Sequence, residues 1–211
     1  MVVVVCSHMK ELNLNSHFGV GIFSSAANFE QRFIKDFKQL RKVVDHLRGL
    51  GLKIVLTQGT YDMVHIGHAR YFEAAKAHGD ILIVGVDSDK KVRVRKGPDR
   101  PVVPQSERLE MVAHMRGVDI VTLKEQHHPH WHLIKTVRPD ILIASDRTKY
   151  NRKEVKELQS YCGRVVVLKP MATTSTSAKL RLVQIGAAKK LGQSLTQKVI
   201  TAIAELTEAQ K

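Results

Sequence analysis

The sequence predicts a doubly wound α/β domain built on a five-stranded parallel sheet. Short apolar runs without polar alternation recur along the chain, and segments with helical periodicity separate them. Strands that are buried on both faces show such continuous apolar runs, and strands that alternate with helices form parallel sheets. Polar motifs follow four of the runs, at the sheet edge where open α/β domains bind ligands.

Each element has its own local signal. Residues 1–27 show no clear pattern, and Val2–Val5 is compatible with an edge strand or a disordered end. A helix is predicted from Asn28, where Gln31 completes a capping box, to Gly49. We expect strands at 54–56, 81–86, 118–123, 140–144 and 165–168, and helices at 66–78, 106–115, 132–137 and 151–161. Two further helices are expected, one from Ser175 or Ser177 to near Gly186 and one from Ser194; the stretch 87–104 is predicted to be a polar, basic loop.

Composition bounds the class of protein. The net charge of +14 favours polyanionic partners, which include nucleotides and nucleic acid, but a solubilising lysine-rich surface would give the same excess. Two cysteines argue against a disulfide scaffold and fit a reducing compartment. No apolar run is long enough to span a bilayer, and the amino terminus lacks a secretory pattern. We therefore expect a cytoplasmic protein.

The most informative motif follows the first predicted strand, where residues 59–68 read G-T-Y-D-M-V-H-I-G-H. Gly59 is expected to permit an unusual backbone angle and the close approach of a phosphate. The start of the following helix presents N–H groups and a positive dipole end to the same place. His65 and His68 can lie on one side of its first turn and donate to the oxygens of an α-phosphate. The alternatives are a helix cap with a core histidine, or a pair of zinc ligands.

The string G-T-x-D-x-x-H-x-G-H after a strand resembles the signature of the HIGH-motif nucleotidyltransferases, the cytidylyltransferase-like group. The resemblance implies transfer of a nucleoside monophosphate from a nucleoside triphosphate to a small phosphorylated acceptor, with release of pyrophosphate. It also implies that His65 and His68 contact the triphosphate, and that Gly59, Thr60 and Gly67 line the same phosphate pocket.

A basic cluster follows the second predicted strand and comprises Lys90, Lys91, Arg93, Arg95, Lys96 and Arg100. A solvated charged face would look the same. However, the stretch from Lys96 to Arg108 resembles the K-G-P-x-R-P-x-x-P-x-x-x-R stretch of bacterial heptose-phosphate adenylyltransferases. That likeness implies that Lys96 neutralises phosphate charge at the transfer centre, with Arg93 as a second candidate. Arg108 is predicted either to reach the triphosphate or to form a surface ion pair, and Asp62 is expected to order its loop.

Two further motifs follow the fourth and fifth strands. The first is A-S-D-R, in which Asp146 matches a glycine-containing G-x-D turn of the relatives, although this chain lacks the glycine. The second includes Ser175, Thr176 and Ser177, which match the family's S-T-T or S-S-S sequence that holds the outer phosphates. Such hydroxyls at a helix start otherwise cap the helix.

Four histidines, at positions 127, 128, 130 and 132, lie beside Trp131 and invite a metal hypothesis. Because Pro129 is expected to start a helix, the four rings would not converge easily. A solvent-facing helix entry or a contact to the acceptor is favoured, and no protein metal site is predicted.

The resemblance covers about residues 50–186 and divides the chain into an uncertain segment 1–27, a helix within 28–50, a nucleotidyltransferase domain 51–186 and a helical extension 187–211. ATP is favoured as donor because the basic stretch matches the adenylyl branch; CTP and an FAD-synthetase-like reaction remain alternatives. A sugar or polyol phosphate is the expected acceptor, Mg²⁺ is expected to accompany the triphosphate, and a homodimer is possible. The alternative of a different class is a nucleic-acid-binding module on a catalytically dead fold.

Overall fold

The computed structural model describes residues 28–145, 150–172 and 176–208, and it confirms the predicted doubly wound α/β architecture. The sheet consists of five parallel strands: β1 Ile54–Gly59, β2 Ile81–Asp87, β3 Ile120–Lys124, β4 Ile141–Ser145 and β5 Arg164–Leu168. Their order in the sheet is β3-β2-β1-β4-β5. The chain therefore winds outward from β1 in one direction and then in the other. The crevice between β1 and β4 is the switch point at which ligands bind in this class of fold.

The helices of the described residues are α1 Phe29–Arg32, α2 Phe37–Gly49, α3 Ile66–Lys76, α4 Asp89–Lys96, α5 Gln105–Ala113, α6 His132–Val137, α7 Arg152–Leu158 and α8 Thr176–Glu208. The single helix predicted from Asn28 to Gly49 is wrong, because two helices occupy that range. Between the two helices, Phe33 forms a parallel bridge to Val121 of β3, and the N–H of Ile34 donates to the carbonyl of Val121. Pairing with the sheet therefore interrupts the helix, although the apolar residues of this stretch recur at helical spacing.

Apolar layers cover both faces of the sheet. On one face Leu40, Val44 and Leu47 of α2 pack with Ile54 and other strand residues, and all of them are buried. On the other face the core includes Phe72 of α3 and Val112 of α5. Each such side chain contributes about 1.5–3 kcal/mol on burial. With both faces covered, the carboxyl edge of the strands is where polar loops can meet a ligand.

The basic stretch after β2 is not the loop that was predicted for residues 87–104. It contains α4, which Ser88 caps by accepting a hydrogen bond from the N–H of Lys91. Val92 is fully buried and anchors the helix, and Gly97 ends it with a φ of +96°. Val92 is the one buried residue of α4 and charged residues surround it, so the sequence shows no apolar periodicity that would predict this helix.

The chain divides into two compact units, with the boundary between Met171 and Ala172. The second unit contains α8, which is continuous over 33 residues. The predicted helix end near Gly186 and new start at Ser194 are therefore wrong, because good helix formers surround both positions. The proposed limits of the functional domain stay a prediction. No helix among the described residues combines the length and apolar character needed to cross a membrane.

Candidate active site

Two imidazoles form the start of α3, directly beyond β1. His65 is the N-cap residue, and its Nδ1 accepts a hydrogen bond from the N–H of Gly67 at 3.1 Å. Nδ1 of His68 accepts from the N–H of His65 at 3.3 Å, and the two ring centroids are 4.2 Å apart. The helix therefore begins with a capping box in which histidines take the place of the usual hydroxyl and carboxylate.

These backbone contacts decide which nitrogen of each ring carries the proton. A ring nitrogen that accepts a hydrogen bond has no proton, so the neutral forms of His65 and His68 hold it on Nε2. Each ring can then cap the helix through Nδ1 and donate through Nε2. The capping interpretation and the phosphate-binding interpretation of this pair are therefore compatible.

The loop between β1 and α3 takes its shape from residues other than the glycine. Gly59 does not adopt a positive φ, so the expected unusual backbone angle is wrong; Tyr61 and Met63 have left-handed φ values of 52° and 53°. A Cβ atom at Gly59 would lie 3.0 Å from Cζ of Tyr61, so a larger residue would require the Tyr61 ring to shift by a few tenths of an ångström. The buried Tyr61 ring in turn packs edge-on against His68 at 5.7 Å. Gly59 thus lets the Tyr61 ring support the second histidine.

Asp62 orders this loop, as the sequence predicted. Its carboxylate accepts hydrogen bonds from the N–H groups of Val102 and Val103 at 3.1 and 3.0 Å. It also pairs with Arg100 at 2.7 Å. These contacts tie the loop after β1 to the segment that connects α4 and α5.

Arg108 lies beneath both loops and is almost fully buried. Its guanidinium group donates to the carbonyls of Thr60, Asp87 and Val103, and it pairs with the Asp89 carboxylate at 2.7 Å. The surface ion pair considered for Arg108 is therefore wrong. A direct contact with the triphosphate stays a prediction, and the observed hydrogen bonds favour a positioning role.

The sequence did not predict a row of charged side chains at the ends of the neighbouring strands, which is formed by Asp87, Lys124 and Arg95. Asp87 ends β2, is buried, and lies in register with Lys124 at the end of β3; its Oδ1 is 3.1 Å from the Lys124 ammonium. Nη2 of Arg95 is 2.8 Å from Oδ2 of Asp87 and 2.6 Å from Oγ1 of Thr60. Burial alone would raise the pKa of Asp87, but Lys124 and Arg95 outweigh it and lower that pKa. The Asp87 carboxylate is therefore an ionised link between two cations.

One feature of the sequence could have predicted this row. Asp87 is a charged residue that ends an otherwise apolar strand, and such a buried charge requires a partner. Arg93, Arg95 and Lys96 of the cluster that follows are all exposed, and Arg95 is the one of the three that contacts Asp87 and Thr60. Burial around the ammonium group of Lys96 lowers its pKa, and the neighbouring charges of Arg95 and Arg100 lower it further. Phosphate contacts by Arg93 and Lys96 stay predictions.

The motifs after β4 and β5 cannot be placed in the same way. Asp146 and Ser175 lie outside the described residues, and Thr176 and Ser177 begin α8 without described side chains. Their roles in nucleotide binding also stay predictions.

Two of the four rings in the histidine cluster pack against α2. The rings of His128 and His132 lie 4.5 and 5.1 Å from the Phe37 ring of α2, while His127 and His130 are exposed. Burial lowers the pKa of His128, and His127 and His132 lower it further. Within the described part of the chain, no three potential metal-ligating side chains come together.

Comparison with known proteins gives the family. Residues 56–200, more than half of the chain, match the family model described as cytidylyltransferase-like. The bifunctional protein HldE of a Nitratiruptor species is 43% identical over 125 residues, which are 59% of this chain and 26% of the relative. HldE of Geotalea uraniireducens is 32% identical over 158 residues, which are 74% of this chain and 32% of that protein. The chain thus spans about a quarter to a third of the length of these curated relatives.

Solved structures share the fold. A lipopolysaccharide core biosynthesis protein from Thermoplasma volcanium gives a TM-score of 0.50 at 24% identity, over 57% of this chain and 98% of that one. A pantoate-beta-alanine ligase from Francisella tularensis gives a TM-score of 0.52 at 15% identity, over 69% of this chain and 68% of the other. Because the family model covers both the sheet and the histidine motif, this chain belongs to the cytidylyltransferase-like family.

Proposed function

We propose that this protein is a nucleotidyltransferase that moves AMP from ATP to a sugar phosphate or polyol phosphate and releases pyrophosphate. The observation that carries the proposal is the pair of imidazoles at the start of α3, beyond the carboxyl end of β1, each of which accepts a backbone hydrogen bond through Nδ1. The family membership and the likeness of the Lys96–Arg108 stretch to adenylyltransferases support it.

The reaction needs alignment and charge stabilisation more than proton transfer. An oxygen of the acceptor phosphate attacks the α-phosphorus, a new P–O bond forms, and the bond to the bridging oxygen of pyrophosphate breaks. A phosphate monoester is largely ionised near neutral pH, so no strong base is required. The Nε2–H groups of His65 and His68, with the positive end of α3, stabilise the charge on the α-phosphate oxygens as this exchange proceeds.

The surrounding residues divide into those that hold the loops and those that meet the phosphates. Asp62 and Arg108 fix the backbone that carries Thr60, and this fixes the approach of the two histidines to the substrate. Lys96 and Arg93 supply positive charge for the triphosphate. Gly59, Thr60 and Gly67 line the α-phosphate pocket, while Asp146, Ser175, Thr176 and Ser177 contact the nucleotide and the outer phosphates.

Mg²⁺ is proposed to enter with the triphosphate. The described carboxylates nearest to the loops are engaged, since Asp87 pairs with Arg95 and Lys124 and Asp89 pairs with Arg108. They do not form a cage for the cation. Substrate phosphates would supply the oxygen ligands that Mg²⁺ prefers, and no step is assigned to a protein-held metal.

The direct test is pyrophosphate release with each of ATP, CTP, GTP and UTP against a panel of sugar and polyol phosphates. We expect turnover with ATP and one phosphorylated acceptor, and none with the same acceptor after removal of its phosphate. Turnover with CTP alone would support the cytidylyl alternative and overturn the choice of nucleotide.

A second candidate function rests on the net charge of +14, which also suits a nucleic-acid-binding module on an inactive fold. Absence of turnover with every nucleotide, together with salt-sensitive RNA binding, would favour that module. We further propose that the enzyme acts in the cytoplasm as a homodimer. Sedimentation of the purified chain at twice its monomer mass would support the dimer.

A further inference from the structure

The row at the ends of β1, β2 and β3 is a second polar surface beside the histidine pair. Gly59 and Val86 are paired across β1 and β2, so Thr60 and Asp87 are the next positions on the two strands. Asp87 is in register with Lys124 of β3. Arg95 reaches the row from α4 and contacts both Thr60 and Asp87. Three neighbouring strand ends therefore carry one continuous line of polar contacts.

The topology places this row on the side of β1 away from the nucleotide crevice. The strand order puts the switch point between β1 and β4, whereas β2 and β3 lie on the other side of β1. In phosphoryl transfer the attacking and leaving oxygens lie roughly in line on opposite sides of the phosphorus. With the α-phosphate at the start of α3 and the leaving pyrophosphate in the crevice, the attacking oxygen of the acceptor would therefore approach from the opposite side, which is the side of β2 and β3.

The charges of the row favour an oxyanion. Asp87 is 1% exposed and faces two cations, so the row carries more positive than negative charge. The Arg95 side chain is 53% exposed. Its hydrogen bonds to the described residues run through Nη2, which leaves the N–H groups of Nε and Nη1 for a ligand. A guanidinium group held in this way suits the geometry of a phosphate.

The backbone below the row is fixed. Arg108 donates to the carbonyls of Thr60 and Asp87, so the two residues that hold Arg95 are themselves joined. Lys124 is half-buried, and its charge is matched by the Asp87 carboxylate in contact with it. Arg95 is therefore fixed by Thr60 and Asp87, while the rest of its guanidinium group faces solvent.

Building on the proposed function, we propose that Arg95 binds the phosphate of the acceptor substrate and that Asp87 is the positioning residue that holds Arg95 for this contact. The site takes a phosphate monoester and discriminates against the same sugar or polyol without its phosphate. Lys124 keeps Asp87 ionised and thus contributes through Asp87.

The kinetic test compares Arg95→Leu with Lys90→Leu, which removes the same charge from an exposed position of the same helix. Loss of charge-assisted hydrogen bonds should raise the KM for the acceptor by roughly 10- to 100-fold in Arg95→Leu. The KM for ATP should change by less than about twofold, and Lys90→Leu should match the wild type, since neither change removes a contact with that ligand. An unchanged acceptor KM, or an equal rise in the KM for ATP, would overturn the assignment.

The positioning role of Asp87 is tested with Asp87→Asn and the double variant. If Asp87 acts through Arg95, Asp87→Asn raises the acceptor KM, and adding it to Arg95→Leu produces no further rise. Additive effects on the acceptor KM would contradict the positioning role. If Asp87→Asn does not fold, Asp87→Glu replaces it, because it keeps the charge opposite Lys124 but displaces the carboxylate that holds Arg95. It should raise the acceptor KM in the protein with Arg95 and leave it unchanged in Arg95→Leu, and an equal rise in both would contradict the positioning role.

One binding measurement separates failure of this inference from failure of the proposed reaction. If the wild type releases no pyrophosphate with any acceptor, inorganic phosphate is titrated into the full chain with α,β-methylene-ATP present, and ³¹P NMR line widths are recorded. Broadening in the wild type that is lost in Arg95→Leu would support the oxyanion site although the reaction had failed. Equal line widths in the two proteins would overturn it.

Discussion

The loop after β1 and the segment after β2 reach the same edge of the sheet by different means. In the first, His65, Gly67 and His68 bond to one another across two or three residues of sequence. In the second, Arg95 bonds to Thr60 from 35 residues away, and Arg108 bonds to the same residue's carbonyl from 48 residues away. The first loop depends on a local motif, whereas the second depends on the folded sheet. Variants should therefore affect them differently.

Removal of the Arg108 guanidinium should give the largest effect on stability. Arg108→Met leaves the Asp89 carboxylate and three backbone carbonyls without their donor, and breaking such a buried pair costs about 3–5 kcal/mol. Urea denaturation measures the free energy of unfolding. Arg93→Met, at an exposed position, is the control and should change it by less than about 0.5 kcal/mol. An equal change in the free energy of unfolding in the two variants would contradict the claim that the long-range contacts of Arg108 stabilise the segment after β2.

Removal of an imidazole from the first loop should affect the rate more than the fold. His68→Ala removes one donor to the α-phosphate, and loss of such a donor lowers kcat by about 10²- to 10³-fold. Steady-state pyrophosphate release measures this, and circular dichroism checks that the variant is folded. A folded variant that keeps more than a tenth of the wild-type kcat would contradict the proposed role of His68.

The contact between α3 and β1 should also make the protein sensitive to alkali, through Tyr71 of α3. Its hydroxyl is 2.8 Å from Oγ1 of Thr57 on β1, and burial raises the pKa of Tyr71 to about 12. The unfolded chain loses this proton near pH 10 and the folded chain keeps it, so stability falls as the pH rises from 10 to 12. The loss is about 1.4 kcal/mol per pH unit, up to about 2.7 kcal/mol.

Tyr71→Phe tests that expectation, because it removes the titrating group and keeps the ring. Urea denaturation at several pH values between 9 and 12 should give a flatter dependence of the unfolding free energy than in the wild type. The same slope in both proteins would show that Tyr71 does not carry the effect.

The smallest effect separates the two functions of His65. His65→Ala should cost about 1 kcal/mol because the N-cap acceptor is lost, whereas Asn is itself a strong N-cap and should keep most of that stability. Both variants should lose pyrophosphate release to a similar extent, since neither has an Nε2–H donor. If Asn restores no stability, or restores activity, capping and phosphate binding are not separate properties of this ring.

The same contrast explains what could be predicted from the sequence. The strands were located because continuous apolar runs reflect burial on both faces, and the histidine motif was found because its partners lie within ten residues. Helix α4 was missed because one buried residue, Val92, gives no periodicity. The contacts of Arg95 were missed because they depend on Asp87 and Lys124 meeting across strands. Strand register, which no local pattern records, sets those contacts.

The most direct test of the whole account is the protonation of the two imidazoles, read from long-range ¹H–¹⁵N NMR spectra of the histidine side chains. In the neutral form of each ring, we expect the proton of His65 and of His68 to be on Nε2, with Nδ1 unprotonated, and both Nε2 signals to shift when a non-hydrolysable ATP analogue is added. A proton on Nδ1 of either neutral ring, or signals unchanged at a saturating concentration of the analogue, would contradict it.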